Sequence, residues 1–132
     1  MAGSEQNLSA GNRILVLDPS PSIRFTIELI LGRGPEVEGY GEAGEALDRL
    51  TRGGADLVIL GLDLPFSRYL RFLQAMRRTS PGLPILFLST KEGRGEITYP
   101  LSDTLRKPFF PSDLQEKVKG LLARGREGKR GR

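Results

Sequence analysis

The sequence predicts an α/β protein whose five parallel strands form one open sheet in the order 2-1-3-4-5, with helices on both faces. Three continuous apolar runs, at 14–17, 57–60 and 84–88, are typical of strands that are buried on both sides. Segments with apolar residues at helical spacing separate these runs. Strands that alternate with helices are typical of a parallel sheet with right-handed crossovers, and the predicted fold class rests on this alternation.

The first half of the chain follows this alternation. After the apolar run at 14–17, Ser20 and Pro21 fit the cap and the first position of a helix. The apolar face of that helix is formed by Ile23, Ile27, Ile30 and Leu31. The segment 36–40 is short, charged and alternating, as an edge strand should be. A second helix is predicted after it from the spacing of Ala43, Ala46, Leu47 and Leu50.

The second half is organised around the run at 57–60, which glycines bound on both sides and which belongs at the centre of the sheet. A third helix over about 67–78 is predicted by the helical spacing of Tyr69, Phe72, Leu73 and Met76. The run at 84–88 is the fourth strand, and 104–106 is a weak fifth strand. A last helix is expected from Pro111 onward.

The composition is that of one soluble globular domain. The 132 residues are enough for a single core, and 38% hydrophobic with 27% charged residues is ordinary for such a protein. No apolar run approaches the roughly 18 residues that span a bilayer, and 1–12 lacks the pattern of a secretory signal. We therefore expect a cytoplasmic protein with no membrane partner. The absence of cysteine and histidine excludes disulfides, thiolate metal sites and an imidazole base.

The positive charge is concentrated at the end of the chain. The formal net charge of +4 falls entirely in 124–132, because basic and acidic residues balance before it. We divide the chain into a flexible leader at 1–12, a folded domain at 13–123 and a basic flexible tail at 124–132. The tail is interpreted as a solvated end. Nucleic-acid binding through phosphate neutralisation is the alternative, although the tail has no aromatic residue for stacking.

The order of these motifs resembles the receiver domains of bacterial response regulators. Residues 13–24 resemble the family's first strand with its acidic turn, and 34–47 resemble its second strand and helix. Residues 55–65 resemble the third strand and loop, 84–90 the fourth strand, and 105–109 the turn that carries the family's lysine. The resemblance implies the flavodoxin-like receiver fold over about 13–124.

The resemblance also implies a phosphoryl switch from which key groups are missing. In the family, an aspartate at the end of the third strand accepts the phosphoryl group, and Gly61 stands at that position. The family's Mg²⁺ uses that aspartate and an acidic pair after the first strand; Asp18 matches the first acid, but Pro19 replaces the second. We therefore expect a degenerate pocket with no catalytic residue, weak or absent Mg²⁺ binding, and no other cofactor.

Three further polar residues belong to this degenerate pocket. Ser89 and Lys107 match the hydroxyl and the lysine that contact the phosphoryl group in the family. We expect Lys107 and Asp18 to form a partly buried ion pair, with Ser89 bonded to the backbone. In a functional version of this interpretation, the ion pair fixes the pocket in one state. Asp63 lies two residues past Gly61, roughly 6–7 Å along an extended chain, so we expect it beyond the pocket, as a solvated carboxylate or a partner for Lys107.

The family's fourth helix is predicted to be shortened or irregular. The span between Thr90 and Lys107 is about one helical turn shorter than in receivers, and Gly93, Gly95 and Pro100 interrupt any helical pattern. This departure either alters a partner surface or trims a loop, with Tyr99 packed on the core. The candidate partner surface consists of Ile97, Tyr99, Leu101, Thr104 (where the family often has a switching aromatic ring) and Phe109.

These observations favour a non-catalytic, phosphorylation-independent pseudo-receiver that acts by protein–protein interaction in bacterial signal transduction. Its partner would be another signalling protein, such as a sensor kinase or a downstream effector, and the chain would be a monomer or weak dimer. Two alternatives stay open. One is a response regulator that is phosphorylated at Asp63 and switches by population shift; the other is a nucleic-acid-associated adaptor acting through 124–132.

Overall fold

The computed structural model describes residues 11–90 and 99–130, and within them the chain forms five strands and four helices. The strands are β1 (Arg13–Leu17), β2 (Glu36–Tyr40), β3 (Leu57–Gly61), β4 (Ile85–Ser89) and β5 (Ser102–Arg106). The helices are α1 (Pro21–Leu31), α2 (Ala43–Thr51), α3 (Phe66–Thr79) and α4 (Pro111–Arg130). No helix in these ranges is long and apolar enough to cross a membrane.

The strands form one parallel sheet in the order β2-β1-β3-β4-β5, which confirms the predicted topology. The central strand β3 pairs with β1 on one side, where Val58 lies opposite Leu15, and with β4 on the other, where Val58 lies opposite Ile85. Every residue of β3 is buried, as its continuous apolar run predicts. The edge strand β2 is short, charged and partly exposed, and this limits pairing with other chains.

The core has two layers because neighbouring side chains of each strand point to opposite faces of the sheet. On one face, Leu15, Val58 and Leu60 pack with residues of α2 and α3, among them Phe72. On the other face, Ile14, Val16, Leu57 and Ile59 pack with residues of α1 and α4, among them Ile27, Leu114 and Val118. Full burial of one such aliphatic side chain contributes roughly 1.5–3 kcal/mol, so this core holds the strand ends in fixed positions.

The first helix begins where the sequence predicts it. The Ser20 hydroxyl oxygen accepts a hydrogen bond from the backbone N–H of Ile23 at 3.3 Å, and Pro21 occupies the first helical position. The helix ends at Gly32, whose φ of 61° falls in the left-handed region that favours glycine. This start immediately after β1 places Asp18 and Ser20 at the carboxyl edge of the sheet.

The last helix is longer than the sequence predicts. It continues to Arg130, so 124–130 is helical, while the division of the chain into leader, domain and tail stays a prediction. Two buried residues of its later turns, Leu121 and Leu122, anchor the helix on the sheet, and Gly125 lies so close that an added Cβ would sit 3.3 Å from Cγ of Pro84. The arginines and the lysine among 124–130 are good helix formers, although Gly125 and Gly128 are not.

Two further predictions fall largely outside the described residues. The leader at 1–12 is described only at Gly11 and Asn12, and the Asn12 carbonyl accepts a hydrogen bond from the Glu36 N–H at 2.8 Å. Asn12 thus bonds to the first residue of β2, and the leader boundary itself stays a prediction. The predicted shortening of the family's fourth helix concerns 91–98, which lie outside the described residues.

Candidate functional site

The carboxyl ends of four strands bring the predicted pocket residues to one edge of the sheet. Asp18 directly follows β1, Gly61 ends β3, Ser89 ends β4 and Lys107 directly follows β5. The strand ends are tied together, because the Lys107 N–H donates to the Ser89 carbonyl at 2.8 Å. In open parallel sheets this edge is where functional groups collect, so the topology gathers these residues as predicted.

Asp18 is the most buried polar residue of the site, with a relative exposure of 0%. Its Oδ1 accepts a hydrogen bond from the Ser20 N–H at 2.9 Å, and its Oδ2 accepts one from Nζ of Lys107 at 2.9 Å. The Arg24 guanidinium donates to the Asp18 carbonyl at 2.7 Å. Pro19 is exposed beside it and has no side-chain donor or acceptor. Asp18 is thus fixed by hydrogen bonds at both carboxylate oxygens, as a buried charge requires.

Lys107 joins two carboxylates. Its Nζ lies 2.9 Å from Oδ2 of Asp18 and 3.0 Å from Oδ2 of Asp63, and the lysine side chain is only 8% exposed. Burial is the largest single influence on the pKa of Lys107 and lowers it, but the hydrogen bonds and negative charges of the two aspartates together outweigh burial. The pKa of Lys107 is therefore raised, and the ammonium stays charged at neutral pH. The predicted Asp18–Lys107 ion pair is present.

Asp63 lies in the site, which corrects the expectation that it would fall beyond the pocket. Besides its ion pair with Lys107, its Oδ1 accepts a hydrogen bond from the Thr90 hydroxyl at 3.2 Å. The expectation assumed an extended chain after Gly61, whereas the chain turns at Leu62 and Asp63 and brings the carboxylate back over the strand ends. The side chain of Asp63 is 41% exposed, so it forms the solvent-facing side of the site. Of its two anticipated roles, the partner of Lys107 is the one found.

Gly61 lies against the buried carboxylate. A Cβ added at Gly61 would collide with Oδ2 of Asp18 and would sit 2.7 Å from its Cγ. Because Asp18 is fixed by Ser20 and Lys107, it has little room to move away. The space beside the end of β3 is therefore filled by the Asp18 side chain.

We call Asp18, Asp63 and Lys107 the ion triad.

The donor set does not fit Mg²⁺. A hard divalent cation needs several oxygen ligands, commonly from two or more carboxylates. Here the two carboxylates of the site both bond the Lys107 ammonium, while Pro19 and Gly61 provide no side-chain oxygen. Across the described ranges 11–90 and 99–130, no group of three or more acidic, histidine or cysteine side chains could hold a metal ion. Weak or absent Mg²⁺ binding stays a prediction, to be measured directly.

The candidate partner surface is only partly exposed. Tyr99 is 5% exposed and belongs to the core layer with α2 and α3, so its inclusion in a surface is wrong. The aromatic ring instead lies under the Arg77 guanidinium, 5.4 Å from ring centroid to Cζ. Leu101 is half-buried and Thr104 is exposed on β5, while Ile97 lies outside the described residues. The segment supports the alternative in which Tyr99 packs on the core.

The exposed aromatic residue just before α4 is Phe110 rather than Phe109, which the candidate partner surface includes. Phe109 packs half-buried against the α1 and α4 layer, whereas Phe110 is 73% exposed. Two further large apolar side chains, Phe25 at 60% and Leu29 at 64%, are exposed on α1. Their spacing of four residues places them on one face of the helix. The sequence analysis missed these residues, and the only available signal was that Phe25 and Leu29 fall outside the apolar face assigned to the first helix.

Sequence reasoning also missed three supporting groups of the site. Ser20 was assigned only to a helix cap, yet its backbone N–H bonds Asp18. Arg24 and Thr90 were not singled out, although the first fixes the Asp18 carbonyl and the second bonds Asp63. The glycines at positions 39 and 41 are the sequence feature that could have indicated the position of Arg24, because the Arg24 side chain passes close to where Cβ atoms at these two positions would lie.

Fold and site together define a flavodoxin-like α/β domain whose polar site lies at the carboxyl edge of a parallel sheet. The chain belongs to the response regulator receiver domain family, whose family model matches residues 14–119. It is therefore a receiver domain of bacterial two-component signalling, as its motifs predict.

Similar proteins contain this domain as part of a longer chain. Over 91 residues the chain is 36% identical to a protein-glutamate methylesterase/protein-glutamine glutaminase of Rhizobium etli, a match that covers 67% of this chain and 26% of that protein. Over 120 residues it is 31% identical to the DNA-binding response regulator MtrA of Mycolicibacterium smegmatis, covering 87% of this chain and 52% of that protein. The chain thus spans between a quarter and about half of the length of these curated relatives.

Solved structures give the same fold. Chemotaxis protein CheY4 of Vibrio cholerae superposes with a TM-score of 0.74 at 27% identity, covering 85% of this chain and 99% of that one. A response regulator receiver domain protein from Methanospirillum hungatei superposes with a TM-score of 0.75, covering 89% of this chain and 98% of that one. At 22% identity the second likeness shows the fold alone.

Proposed function

We propose that this chain is a pseudo-receiver, a non-catalytic and phosphorylation-independent member of its family that acts by protein–protein contact. The observation that carries the proposal is the ion triad, in which Lys107 bonds Asp18 at 2.9 Å and Asp63 at 3.0 Å. A lysine neutralised by two carboxylates is already paired, so an incoming phosphoryl group would have to displace one of them. The triad therefore favours one fixed state of the site.

The residue at the end of β3 supports the same proposal. Formation of an aspartyl phosphate needs a carboxylate nucleophile, and Gly61 has no side chain. A larger residue there would collide with Asp18, which occupies the adjacent space. The loss of the nucleophile and the filling of its space by a buried ion pair are consistent with each other. We infer that the site has a structural role in this chain, and that the chain is not an enzyme.

Action through protein contact is supported by the exposed apolar side chains. Phe25 and Leu29 share one face of α1, and Phe110 precedes α4. Large apolar groups that stay in contact with water are favourable sites for a partner to cover. The proposed partner is the one predicted from the sequence, namely another signalling protein such as a sensor kinase or a downstream effector.

A second candidate function is favoured by the position of Asp63. Its carboxylate is 41% exposed, reaches Lys107 and accepts a hydrogen bond from Thr90, so a lysine and a hydroxyl stand beside an accessible nucleophile. Phosphorylation at Asp63 would then release Lys107 toward the phosphoryl group and change the triad. We rank this candidate second because Lys107 alone would have to neutralise the negative charge of the phosphoryl group, and Lys107 is already paired with Asp18.

Intact mass spectrometry after incubation with acetyl phosphate and Mg²⁺ separates the two candidates. The pseudo-receiver is expected to keep its unmodified mass, while a receiver domain with an intact acceptor, treated in parallel, gains one phosphoryl group. A phosphoryl adduct that disappears in Asp63→Asn would overturn the proposal and establish the second candidate. Titration with Mg²⁺ in a buffer free of acetyl phosphate and of other divalent cations, followed by calorimetry, tests the expected weak binding.

The remaining expectations stay predictions. These are the cytoplasmic location, the monomeric or weakly dimeric state, and nucleic-acid association through 124–132. Residues 124–130 continue the last helix. Retention of nucleic acid that is lost on truncation after Ala123 would support the adaptor alternative.

A further inference from the structure

A groove runs between α2 and α3, and no residue of the ion triad lines it. It has a volume of about 550 Å³. Residues near the start of α2 form one wall, and one side of α3 forms the other. The α2 wall contributes Ala43, Gly44 and the half-buried Leu47, so part of its lining is aliphatic or bare backbone. A Cβ added at Gly44 would meet nothing within 4 Å, so this end of the groove is open.

The α3 wall is strongly basic. Arg68, Arg71 and Arg78 line the groove, and all three are exposed. Their spacing of three and seven residues puts them along one side of the helix over about 15 Å. The helix has no acidic residue, and the sequence contains none between Asp63 and Glu92. The fourth arginine of the helix, Arg77, is directed elsewhere, over the ring of Tyr99.

These three guanidinium groups have no ion-pair partner among residues 11–90 and 99–125, where side chains are described except at Phe66. Elsewhere in these ranges arginines do find partners, as Arg49 does with Glu38 at 2.7 Å. Unpaired arginines in a groove retain their full capacity for bidentate bonds to carboxylates. The groove therefore combines a partly aliphatic wall with a row of arginines that have no ion-pair partner among the described side chains.

We propose that this groove binds an acidic amphipathic helix of a partner protein. Such a helix would place its apolar side on Leu47 and Ala43 and its carboxylates against Arg68, Arg71 and Arg78, because acidic residues three or four positions apart match the arginine row in length. The inference goes beyond the proposed function and does not depend on whether the ion triad is phosphorylated, since the groove contains none of its residues.

A peptide fits this groove better than a nucleic acid does. Single-stranded nucleic acids bind where basic groups accompany exposed aromatic rings, and the only aromatic residue in the described lining, Phe72, has no exposed surface. Glu42 lies at the α2 end of the groove and would repel a phosphate backbone. A helix can direct a neutral or basic residue toward Glu42, whereas every nucleotide carries a phosphate charge.

Fluorescence anisotropy with two labelled peptides tests the proposal on the full chain. The first probe is an 18-residue helical peptide with leucines along one side and glutamates flanking them; the second has every glutamate replaced by glutamine. We expect the glutamate peptide to bind at least about ten-fold more tightly than the glutamine peptide, because three charge pairs of modest strength add to that difference. Equal affinity for the two peptides, or no binding of either, would overturn the proposal.

Two variants and a matched control locate the binding. The triple variant R68Q/R71Q/R78Q is expected to weaken binding of the glutamate peptide at least about ten-fold. Gly44→Trp, which fills the groove without changing charge, should weaken it as well. The control R33Q/R52Q/R124Q removes the same charge from three exposed arginines outside the groove and should leave the affinity within about two-fold.

The outcomes decide between partner classes. An equal loss of affinity for the glutamate peptide in the triple variant and in the control would show only a dependence on net charge and would overturn the proposal that the groove is the binding site. A labelled 20-nucleotide single strand or duplex that binds more tightly than the glutamate peptide, and loses affinity in R68Q/R71Q/R78Q, would overturn the peptide partner in favour of nucleic acid. Thermal unfolding of each variant, expected to match that of the parent chain because the substituted residues are exposed, verifies that the domains are folded.

Discussion

The ammonium nitrogen of Lys107 lies 2.9 Å from Oδ2 of Asp18, and the side chain of Asp18 is fully buried. The two residues are 89 positions apart and directly follow β5 and β1. Because β3 and β4 lie between β1 and β5 in the sheet, this ion pair connects two strand ends that are not neighbours. The contribution of this ion pair to stability can be tested by replacing one partner, by replacing both, or by deprotonating Lys107 at high pH.

Lys107→Ala is expected to lower the free energy of unfolding by about 3 kcal/mol or more. The substitution leaves the buried carboxylate of Asp18 without its counter-charge, and an uncompensated buried charge is strongly destabilising. Urea denaturation gives the measurement, with Arg33→Ala as the control because Arg33 is exposed after α1. A loss no greater than that of the control, which should lie within about 0.5 kcal/mol, would contradict the prediction.

Removing both charges is expected to be less harmful than the single changes suggest. In the double variant Asp18→Asn with Lys107→Met, no buried carboxylate is left unpaired at position 18, so the loss of stability should be smaller than the sum of the two single losses. Contacting residues of this kind couple by about 0.5–3 kcal/mol. The same denaturation experiment on all four proteins measures the coupling, and strict additivity would show that the pair does not interact energetically.

The stability that the Lys107 ion pairs contribute should be lost only at alkaline pH. Asp18 and Asp63 raise the pKa of Lys107 above its ordinary value of 10.5, in spite of burial. A group whose folded pKa is raised contributes stability fully below its unfolded pKa and loses it as the pH rises through the folded pKa. The difference in unfolding free energy between the parent chain and Lys107→Met should therefore stay constant through neutral pH and shrink only above 10.5. A difference that already falls between neutral pH and 9 would contradict the raised pKa.

Much of the fold was predictable because buried strands and capped helices have local signals. The apolar runs gave the strands and their alternation with helices gave the order, and Ser20 with Pro21 marked the start of α1. The pairing of Asp18 with Lys107 followed from the positions of both residues at strand ends. These features are local in sequence or are fixed by sheet topology.

The errors concern segments without periodicity. The turn at Leu62 and Asp63 lies between Gly61 and Pro65, but our estimate of the position of Asp63 assumes an extended chain after Gly61 and therefore puts it outside the site. Near β5, no repeat distinguishes the buried Tyr99 from a surface residue, or the half-buried Phe109 from the exposed Phe110. The arginine groove was also missed, because it depends on the packing of α2 beside α3, which the sequence pattern of either helix alone does not contain.

Gly61→Ala is expected to destabilise the domain by about 1–3 kcal/mol, although the change adds a single methyl group. The new Cβ would collide with Oδ2 of Asp18, and the carboxylate cannot move without breaking its bonds to Ser20 and Lys107. Thermal or urea unfolding measures the loss. Gly82→Ala is the control, because a Cβ there meets nothing within 4 Å, and it should change stability by less than about 0.5 kcal/mol.

The Asp18→Ala background shows whether the collision is the cause. With the carboxylate removed, Gly61→Ala should add little further loss of stability, since the atoms that its Cβ would meet most closely are gone. An undiminished loss in that background would mean that the methyl group disturbs something other than Asp18. The same collision applies to Gly61→Asp, which should be destabilised like Gly61→Ala. Replacing this one glycine therefore should not suffice to create a phosphoryl acceptor while Asp18 and Lys107 keep their present bonds.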